Sequence, residues 1–279
     1  MELFDLLISE NEEIVLNAIQ DLEFTNIDTK TNAYLLNIGY FHPSKKIKNL
    51  ARKKLIEFQC EELILQIENN WAKDTLKEQK YIHKQLYENN LVDSSEYLTI
   101  AQATRRNYFL KNKKSRFLSL AYMRYDDDVE NIFDCYQVQI ENISENLVKL
   151  RHITVANFNN QMKLDFENVV SILSKLPNLK FLQIAKSDLK KLPNNIAELK
   201  SLKRLIIERN PIESLGDFKS EKLERLEIKG TNITVIDFDN FPNLKELWVD
   251  DQNSKSKMNF KNTRGNVKLT SGLFYSEYI

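Results

Sequence analysis

The sequence is poor in the residues that build metal and thiol sites. It holds two cysteines and three histidines in 279 residues, and neither Cys60 nor Cys135 belongs to a C-x-x-C pair. Structural zinc takes four cysteine or histidine ligands at short spacings, so we expect no metal site. We expect both thiols to be reduced and partly buried. A catalytic cysteine would need His42, His83 or His152 beside it in the fold.

Glycine is also scarce, with five residues in the chain. That scarcity weighs against the glycine-rich loops that hold phosphate groups. The G-x-G-x-x-G, P-loop, G-x-S-x-G and H-E-x-x-H motifs are all missing. The acidic run at 126–130 lacks the glycine and spacing of a calcium loop and predicts a solvated turn. We therefore expect no cofactor, no small-molecule substrate and no catalysis, and an enzyme stays an alternative class.

An excess of charge of one sign is missing too, because 40 Lys and Arg residues stand against 40 Asp and Glu residues. Such a chain has no overall field that draws it to nucleic acid or anionic lipid. No stretch approaches the roughly 18 apolar residues of a membrane helix. The first residues, with Glu2, Asp5 and Glu10, do not resemble a secretory signal. We expect a cytoplasmic protein without a membrane partner, and its Lys, Asn and Ile richness is typical of an AT-rich bacterial genome.

The C-terminal half contains an internal repeat. Its first leucines are 23, 21 and 21 residues apart, at Leu179, Leu202, Leu223 and Leu244. Each unit follows L-x-x-L-x-L-x-x-(N/S/T)-x-L-x-x-L, although the last unit has Gln252 in the polar position. The pattern resembles leucine-rich repeats. In that family the L-x-L segment is a short strand, and successive coils build a curved parallel sheet. We expect the polar residue to bond backbone groups of the adjoining coil.

A fifth, degenerate unit is predicted before these four. Leu150, Ile153 and Val155 hold the leucine positions 29 residues upstream of Leu179, and Phe158 stands in the polar position. The apolar residues between 166 and 176 recur at helical spacing, so this unit is expected to carry a helix. The shorter later units are expected to use 3₁₀ or extended segments.

Residues between the strand leucines point to the concave face, where five strands span about 20 Å. They form three lateral rows: His152, Phe181, Arg204, Arg225, Glu246; Thr154, Gln183, Ile206, Glu227, Trp248; and Ala156, Ala185, Glu208, Lys229, Asp250. The candidate protein-binding residues in these rows are Phe181, Arg204, Ile206, Arg225, Glu227, Glu246, Trp248 and Asp250. Two alternatives stay open: these charges satisfy one another, or the C-terminal tail covers Trp248.

The N-terminal half has a helical period. Two segments align at a spacing of 33: Asn11, Ile14, Ala18 and Leu22 match Ser44, Ile47, Ala51 and Leu55. Each begins with a good N-cap residue and places an alanine between two aliphatics, which resembles the second helix of HEAT or armadillo-type repeats. Further helices are predicted at 3–8, 30–41, 60–72, 74–90 and 95–110.

The predicted helices also carry a basic surface. Its residues are Lys45, Lys46, Lys48, Arg52, Lys53 and Lys54, with Arg105, Arg106, Lys111, Lys113, Lys114 and Arg116 later in the chain. Such a surface could hold phosphate groups, so a nucleic-acid-binding helical array is the alternative function. A solvated helix face is the simpler interpretation, because Glu57, Glu61 and Glu62 follow.

The sequence thus predicts an α/β protein: a HEAT-like α-helical domain followed by a leucine-rich repeat solenoid. The predicted parts are a helical domain at 1–115, a junction and cap at 116–145, repeats at 146–257 and a C-terminal cap or tail at 258–279. By analogy with leucine-rich repeat proteins, the expected function is binding of another protein on the concave face.

Overall fold

The computed structural model describes residues 2–23, 28–58, 92–109, 132–135, 139–250, 257–271 and 275–278. The chain divides into two units, Met1–Glu130 and Asn131–Ile279. Several predictions lie outside the described residues: the helices at 60–72 and 74–90, the basic residues at 111–116, the acidic run, and the boundary at residue 115.

Unit 1 is helical in its described part. Its helices are α1 (Leu3–Leu7), α2 (Glu12–Gln20), α3 (Thr29–Phe41), α4 (Lys45–Glu57) and α5 (Ser94–Phe109). The helices predicted at 3–8, 30–41 and 95–110 are therefore observed to within one residue. No helix in the described ranges combines the length and apolar character needed to cross a membrane.

Short polar side chains cap the N-termini of α2 and α3. The Asn11 side chain accepts a hydrogen bond from the Glu13 N–H at 2.9 Å, and Asp28 accepts one from the Thr31 N–H at 2.7 Å. Each bond satisfies one of the backbone donors that a helix leaves unpaired at its N-terminus. The starts of α2 and α3 are thus encoded by residues within three positions of the donors they satisfy.

Helix α4 packs against both α2 and α3, and α1 packs against α2. Ile47, Ala51 and Leu55 form the buried face of α4, as predicted. Of the predicted apolar face of the α2 segment, Ala18 and Leu22 are buried, whereas Ile14 is only half-buried and its neighbour Val15 is fully buried. Ile14 and Val15 are both β-branched aliphatics, so the sequence pattern does not distinguish which one faces α4.

Unit 2 is built on a sheet. Its strands are β1 (Ile132–Asp134), β2 (Val155–Asn157), β3 (Phe181–Gln183), β4 (Arg204–Ile206), β5 (Arg225–Glu227), β6 (Val235–Asp237), β7 (Glu246–Val249), β8 (Asn259–Lys261), β9 (Lys268–Ser271) and β10 (Tyr275–Tyr278). The main sheet has the order β1-β2-β3-β4-β5-β7-β9-β10, and β6 pairs with β8 separately. Seven strands of the main sheet are parallel, and β10 is antiparallel to β9.

One row of buried side chains runs through the centre of the seven parallel strands. Its members are Phe133, Ala156, Leu182, Leu205, Leu226, Leu247 and Leu269. All of them are at most 1% exposed. The lateral alignment predicted for the four leucines of β3, β4, β5 and β7 is therefore observed. Stacking places these side chains in one interior, which no single coil could bury alone.

The predicted register of the first coil is wrong. Val155 pairs with Phe181, so this coil precedes the next by 26 residues and not by 29. His152 and Thr154 are therefore not in the predicted rows, and Ala156 lies in the central buried row. Alanine is too small to be recognised as a core residue from the pattern. Leu150 matches the first leucine of the repeat, so the sequence alignment was placed three residues too early. Phe158 supplies the missing volume.

The sheet is also wider than predicted, because β1 and β9 extend it on both sides. Five strands were expected, whereas seven parallel strands and β10 leave seven gaps and span about 34 Å. Strand β1 lies in the predicted junction, and β9 and β10 lie in the predicted C-terminal cap or tail. Their central residues, Phe133 and Leu269, stand outside the leucine spacing that defines the repeat.

The returning segments of the coils differ in length as predicted. The first coil carries helix α6 (Phe166–Leu173), whose N-terminus is capped by Asp165 through the Glu167 and Asn168 N–H groups. Later coils use the shorter 3₁₀ turns Ile196–Glu198 and Phe238–Asn240. The pairing of β3, β4, β5 and β7 places their outward-facing residues side by side, and this register positions the candidate site.

Candidate binding face

The candidate site lies on the side of the sheet opposite the buried central row. We call it the outer face, and it consists of Phe181, Gln183, Arg204, Ile206, Arg225, Glu227, Glu246 and Trp248, which flank the central leucines of β3, β4, β5 and β7. The pairing places Phe181, Arg204, Arg225 and Glu246 side by side in one row. Gln183, Ile206, Glu227 and Trp248 form the second row. Both rows agree with the sequence prediction for these four strands.

A single carboxylate holds two arginines at the centre of the outer face. Glu227 Oε1 accepts hydrogen bonds from Arg204 Nε and Arg225 Nε, both at 2.9 Å, and from Arg204 Nη2 at 2.5 Å. The Glu227 side chain is 7% exposed and each arginine side chain is 25% exposed. Charge-assisted bonds of this kind are stronger than neutral ones, so they fix both guanidinium groups.

Aromatic rings lie at the two ends of this arginine pair. The Arg204 guanidinium is 4.4 Å from the centroid of Phe181, and the Arg225 guanidinium is 4.3 Å from that of Trp248. The Lys229 ammonium is also 4.3 Å from the Trp248 ring. Cations over aromatic faces are attracted by the ring quadrupole. Contacts between rings and guanidinium groups thus run across the outer face from Phe181 to Trp248.

Glu246 completes the arrangement beside Trp248. Its Oε2 accepts a hydrogen bond from the Trp248 indole N–H at 3.1 Å and forms an ion pair with Arg225 Nη1, also at 3.1 Å. Trp248 therefore keeps its polar atom satisfied while its ring stays half-buried. The alternative in which the charges of a row satisfy one another is thus observed for Arg225 and Glu246.

Three predicted site residues offer less surface than expected. Phe181 is 4% exposed and Ile206 is 5% exposed, so the expectation that they present open apolar surface is wrong. Arg204 covers the Phe181 ring, and Ile206 lies between Gln183 and Glu227 in its row. Glu227 is 5% exposed and bonds two half-buried arginines. Trp248 is thus the large half-exposed apolar side chain of the outer face.

The third predicted row extends past the strand ends. Asp250 accepts two bonds from the Gly230 N–H, at 2.8 and 2.9 Å, and so acts within the turn. Burial first, and then the Glu227 carboxylate, raise the pKa of Glu208 above its ordinary value. Glu208 therefore carries a charge that its surroundings do not fully compensate, unlike the paired residues of the outer face.

Polar side chains inside the coils hold the strands in register below the site. Asn210 donates from its amide to the Ile184 and Ile207 carbonyls and accepts from the Ser187 and Leu189 N–H groups. The predicted bonding of Asn210 to the adjoining coil is confirmed. Thr231 bonds within its own coil, to the Ile228 carbonyl at 2.7 Å, so its predicted role between coils is not observed.

One polar residue that bonds between coils, Gln161, was not predicted from the sequence. Gln161 stands 26 residues before Ser187, and its backbone N–H donates to the Ser187 hydroxyl at 3.1 Å. Its side chain also donates to the Cys135 carbonyl and accepts from the Ile140 N–H. An alignment that shifted the first coil by three residues would have placed Gln161, and not Phe158, in the polar position.

Metal ligands, cysteines and basic residues are the other candidate chemical groups of the sequence. No group of three or more potential metal ligands occurs among the residues that the structure covers. Cys135 is buried and not in a disulfide. Lys45, Lys46, Lys48, Arg52, Lys53 and Lys54 lie on α4. The side chains of Arg105 and Arg106 lie outside the described residues.

The fold and the outer face define a mixed α/β protein with a seven-stranded parallel sheet that displays paired charges and a tryptophan. A scan against models of known protein families and a search of curated proteins found no match to this chain. The functional conclusion therefore rests on the geometry of these residues.

Proposed function

We propose that the chain is a non-enzymatic, cytoplasmic binding protein that presents the outer face of a leucine-rich repeat solenoid to another protein. The observation that carries the proposal is the locked series Phe181, Arg204, Glu227, Arg225, Trp248, whose members come from four successive parallel strands. A surface fixed before binding loses little side-chain entropy when a partner arrives.

Two features support the assignment to leucine-rich repeats. Four coils of 21 to 23 residues stack with their central leucines in one row. Asn210 stands in the polar position after its strand and bonds both its own and the preceding coil. In unit 1, the packing of α1 on α2, of α3 on α4, and of α2 on α4 supports HEAT-like helix pairs.

A protein is the partner that this surface suits best. The outer face is a broad sheet surface, and tryptophan and arginine are the residues that most often dominate binding energy at protein interfaces. Trp248 and Arg225 lie in direct contact, so they form one central cluster. The charges around them are already paired, which leaves affinity to the aromatic ring and specificity to the arrangement of charges.

The test combines capture with measurement on a purified partner. Wild-type protein and the Trp248→Ala/Arg225→Ala variant are used as baits, and a protein retained by the wild type is purified and titrated calorimetrically with each of them. We expect the double variant to bind at least 100-fold more weakly, since each hot-spot residue contributes about 2 kcal/mol. The control variant, Val235→Ala/Arg264→Ala, removes an exposed valine and an ion-paired arginine away from the outer face. Equal binding by all three proteins would contradict the proposal.

The stability of Trp248→Ala distinguishes a binding residue from a cap residue. We expect its melting temperature to fall by no more than about 3 °C, because the ring is only half-buried. A larger fall, with binding lost in proportion to unfolding, would assign Trp248 to packing of the sheet end and remove it from the site.

A further inference from the structure

Helix α4 presents a cationic face to solvent. Six of its thirteen residues are Lys or Arg, and Glu57 at its last position is its one acidic residue. Three of its apolar residues, Ile47, Ala51 and Leu55, are at most 1% exposed, so they are used in packing within unit 1. The exposed cations are Lys45, Lys46, Arg52 and Lys53. The exposed side of the helix is therefore mainly basic.

The cations at the two ends of α4 have different surroundings. Lys54 donates to the Leu22 carbonyl at 2.9 Å, and Lys53 lies 3.5 Å from the Glu57 carboxylate. Lys45, Lys46 and Lys48 form no ion pair with any described residue. Three uncompensated positive charges are thus concentrated within one turn at the start of the helix.

That position is unfavourable for the isolated protein. A helix N-terminus carries partial positive charge, so anions stabilise it and cations destabilise it. Helix α2 follows this rule, with Glu12 and Glu13 in its first turn and Asn11 as its cap. In α4 the first turn has no acidic residue, and the Ser44 side chain makes no cap bond. An external polyanion would compensate the charges that no described residue pairs with.

We propose that the α4 face binds the sugar-phosphate backbone of a nucleic acid duplex, independently of the function proposed for the outer face. A duplex offers a phosphate every 3.4 Å along each strand, which is the dense charge that three neighbouring lysines require. The chain has zero net charge, so the attraction comes from a local group of cations and not from an overall field. The contact is to the backbone and carries no sequence preference.

Other polyanions fit the face less well. A membrane-bound amphipathic helix inserts its apolar side into lipid, whereas the apolar side of α4 is buried in protein. Ile56, at 52% exposure, is the large apolar side chain that α4 exposes. Single-stranded nucleic acid is held by stacking on aromatic rings, and α4 contains no aromatic residue.

The test measures fluorescence anisotropy of a labelled 20-base-pair DNA duplex titrated with the full chain between 50 and 200 mM salt. Three lysines on phosphates predict a log–log salt slope of about −2.7 and an affinity about 40-fold lower at the higher salt. In the Lys45→Gln/Lys46→Gln/Lys48→Gln variant, we expect the slope to approach zero and binding at 50 mM salt to be lost.

A matched control separates the α4 face from net charge. The Lys190→Gln/Lys191→Gln/Lys200→Gln variant removes three exposed lysines from unit 2 and has the same net charge as the α4 variant. It should bind the duplex as the wild type does. The α4 variant should melt at the same or a higher temperature than the wild type, because glutamine relieves repulsion at the helix start. Lost binding then cannot be attributed to unfolding.

Three results would overturn the proposal. The first is no saturable binding at 50 mM salt, and the second is equal loss of binding in both triple variants. The third is binding to vesicles of anionic lipid or to polyglutamate that is as tight as binding to the duplex.

Discussion

The helix caps of unit 1 and the bonds between coils of unit 2 act over different distances along the sequence. In unit 1, Asn11 and Asp28 bond backbone donors two and three residues away. In unit 2, Asn210 bonds the backbone of Ser187, and Arg204 bonds Glu227, each 23 residues away. Asn11 and Asp28 thus support their own helices, whereas Asn210 and Arg204 support the neighbouring coil.

The units also treat charge differently. The outer face of unit 2 pairs two arginines with Glu227 and Glu246, so its field is short-ranged and its geometry is fixed. In helix α4 of unit 1, Lys45, Lys46 and Lys48 form no ion pair with the part of the chain that the structure describes. The comparison indicates that unit 2 is suited to recognition by shape and unit 1 to attraction that depends on salt.

The largest expected effect comes from an asparagine-to-alanine pair, one in each unit. Asn210→Ala removes an amide from a buried position and leaves backbone groups of two coils unsatisfied. We expect a loss of about 3 kcal/mol in the free energy of unfolding. Asn11→Ala removes one exposed cap bond and should cost about 1 kcal/mol.

Urea unfolding of both variants, followed by hydrogen exchange of peptides from each unit, measures this difference. Asn210→Ala should increase exchange in unit 2, and Asn11→Ala should do so in unit 1. If the two substitutions cost the same, polar groups between coils would matter no more than a surface cap, and the contrast between the units would fail.

An intermediate effect is expected for paired charges. Glu227→Gln leaves Arg204 and Arg225 without their shared carboxylate, and we expect a loss of about 2 kcal/mol. Lys53→Gln removes an exposed pair with Glu57 and should cost about 0.3 kcal/mol. Urea unfolding in 0.1 and 1 M salt provides the measurement. A Glu227→Gln variant as stable as Lys53→Gln would mean that the arginines are held by other groups.

The smallest expected effect is a change in melting temperature on substitution of Glu208, a carboxylate of unit 2 that lies outside the paired charges of the outer face. Because burial raises the pKa of Glu208, its ionised form is disfavoured in the folded chain. Its charge therefore costs stability at neutral pH, and the cost disappears as pH falls below 4.5, the ordinary value. We expect Glu208→Gln to melt slightly higher than the wild type at pH 7 and at the same temperature at pH 3.5.

Glu224→Gln is the opposite control for that experiment. Lys203 and Lys245 hydrogen-bond the Glu224 carboxylate and lower its pKa. Its ionised form thus contributes stability above pH 4.5 that is lost as pH falls through the lower folded value. We expect a slightly lower melting temperature than the wild type at pH 7. If both variants melted higher than the wild type at pH 7, or both lower, the opposite pKa shifts of Glu208 and Glu224 would not account for their stabilities.

Much of the fold was predictable because its pattern is local. The leucine spacing placed β3, β4, β5 and β7, and the helical period placed α3 and α5 to within one residue. Prediction failed where a core position holds an atypical residue, as at Ala156 and Phe133. There the volume needed by the interior is supplied by two phenylalanines, Phe133 and Phe158, whose ring centroids are 5.8 Å apart.

The candidate site was predictable in position but not in exposure. The rows containing Arg225 and Trp248 followed from strand alternation alone. The alternation of side chains along a strand does not predict how far a long side chain extends across the sheet. Arg204 covers the Phe181 ring, and burial of Glu227 depends on which arginines turn toward it. Those contacts join residues from different coils.

The sequence by itself determined which side chains of β3, β4, β5 and β7 are buried beneath the sheet, because hydrophobic burial follows a period that each short segment already carries. It also determined that the cations of α4 lie opposite its apolar side. Only the tertiary structure decided which charges are paired, how the first coil aligns, and where the sheet ends. Each of these depends on side-chain volume and reach across coils more than twenty residues apart, which no local period records.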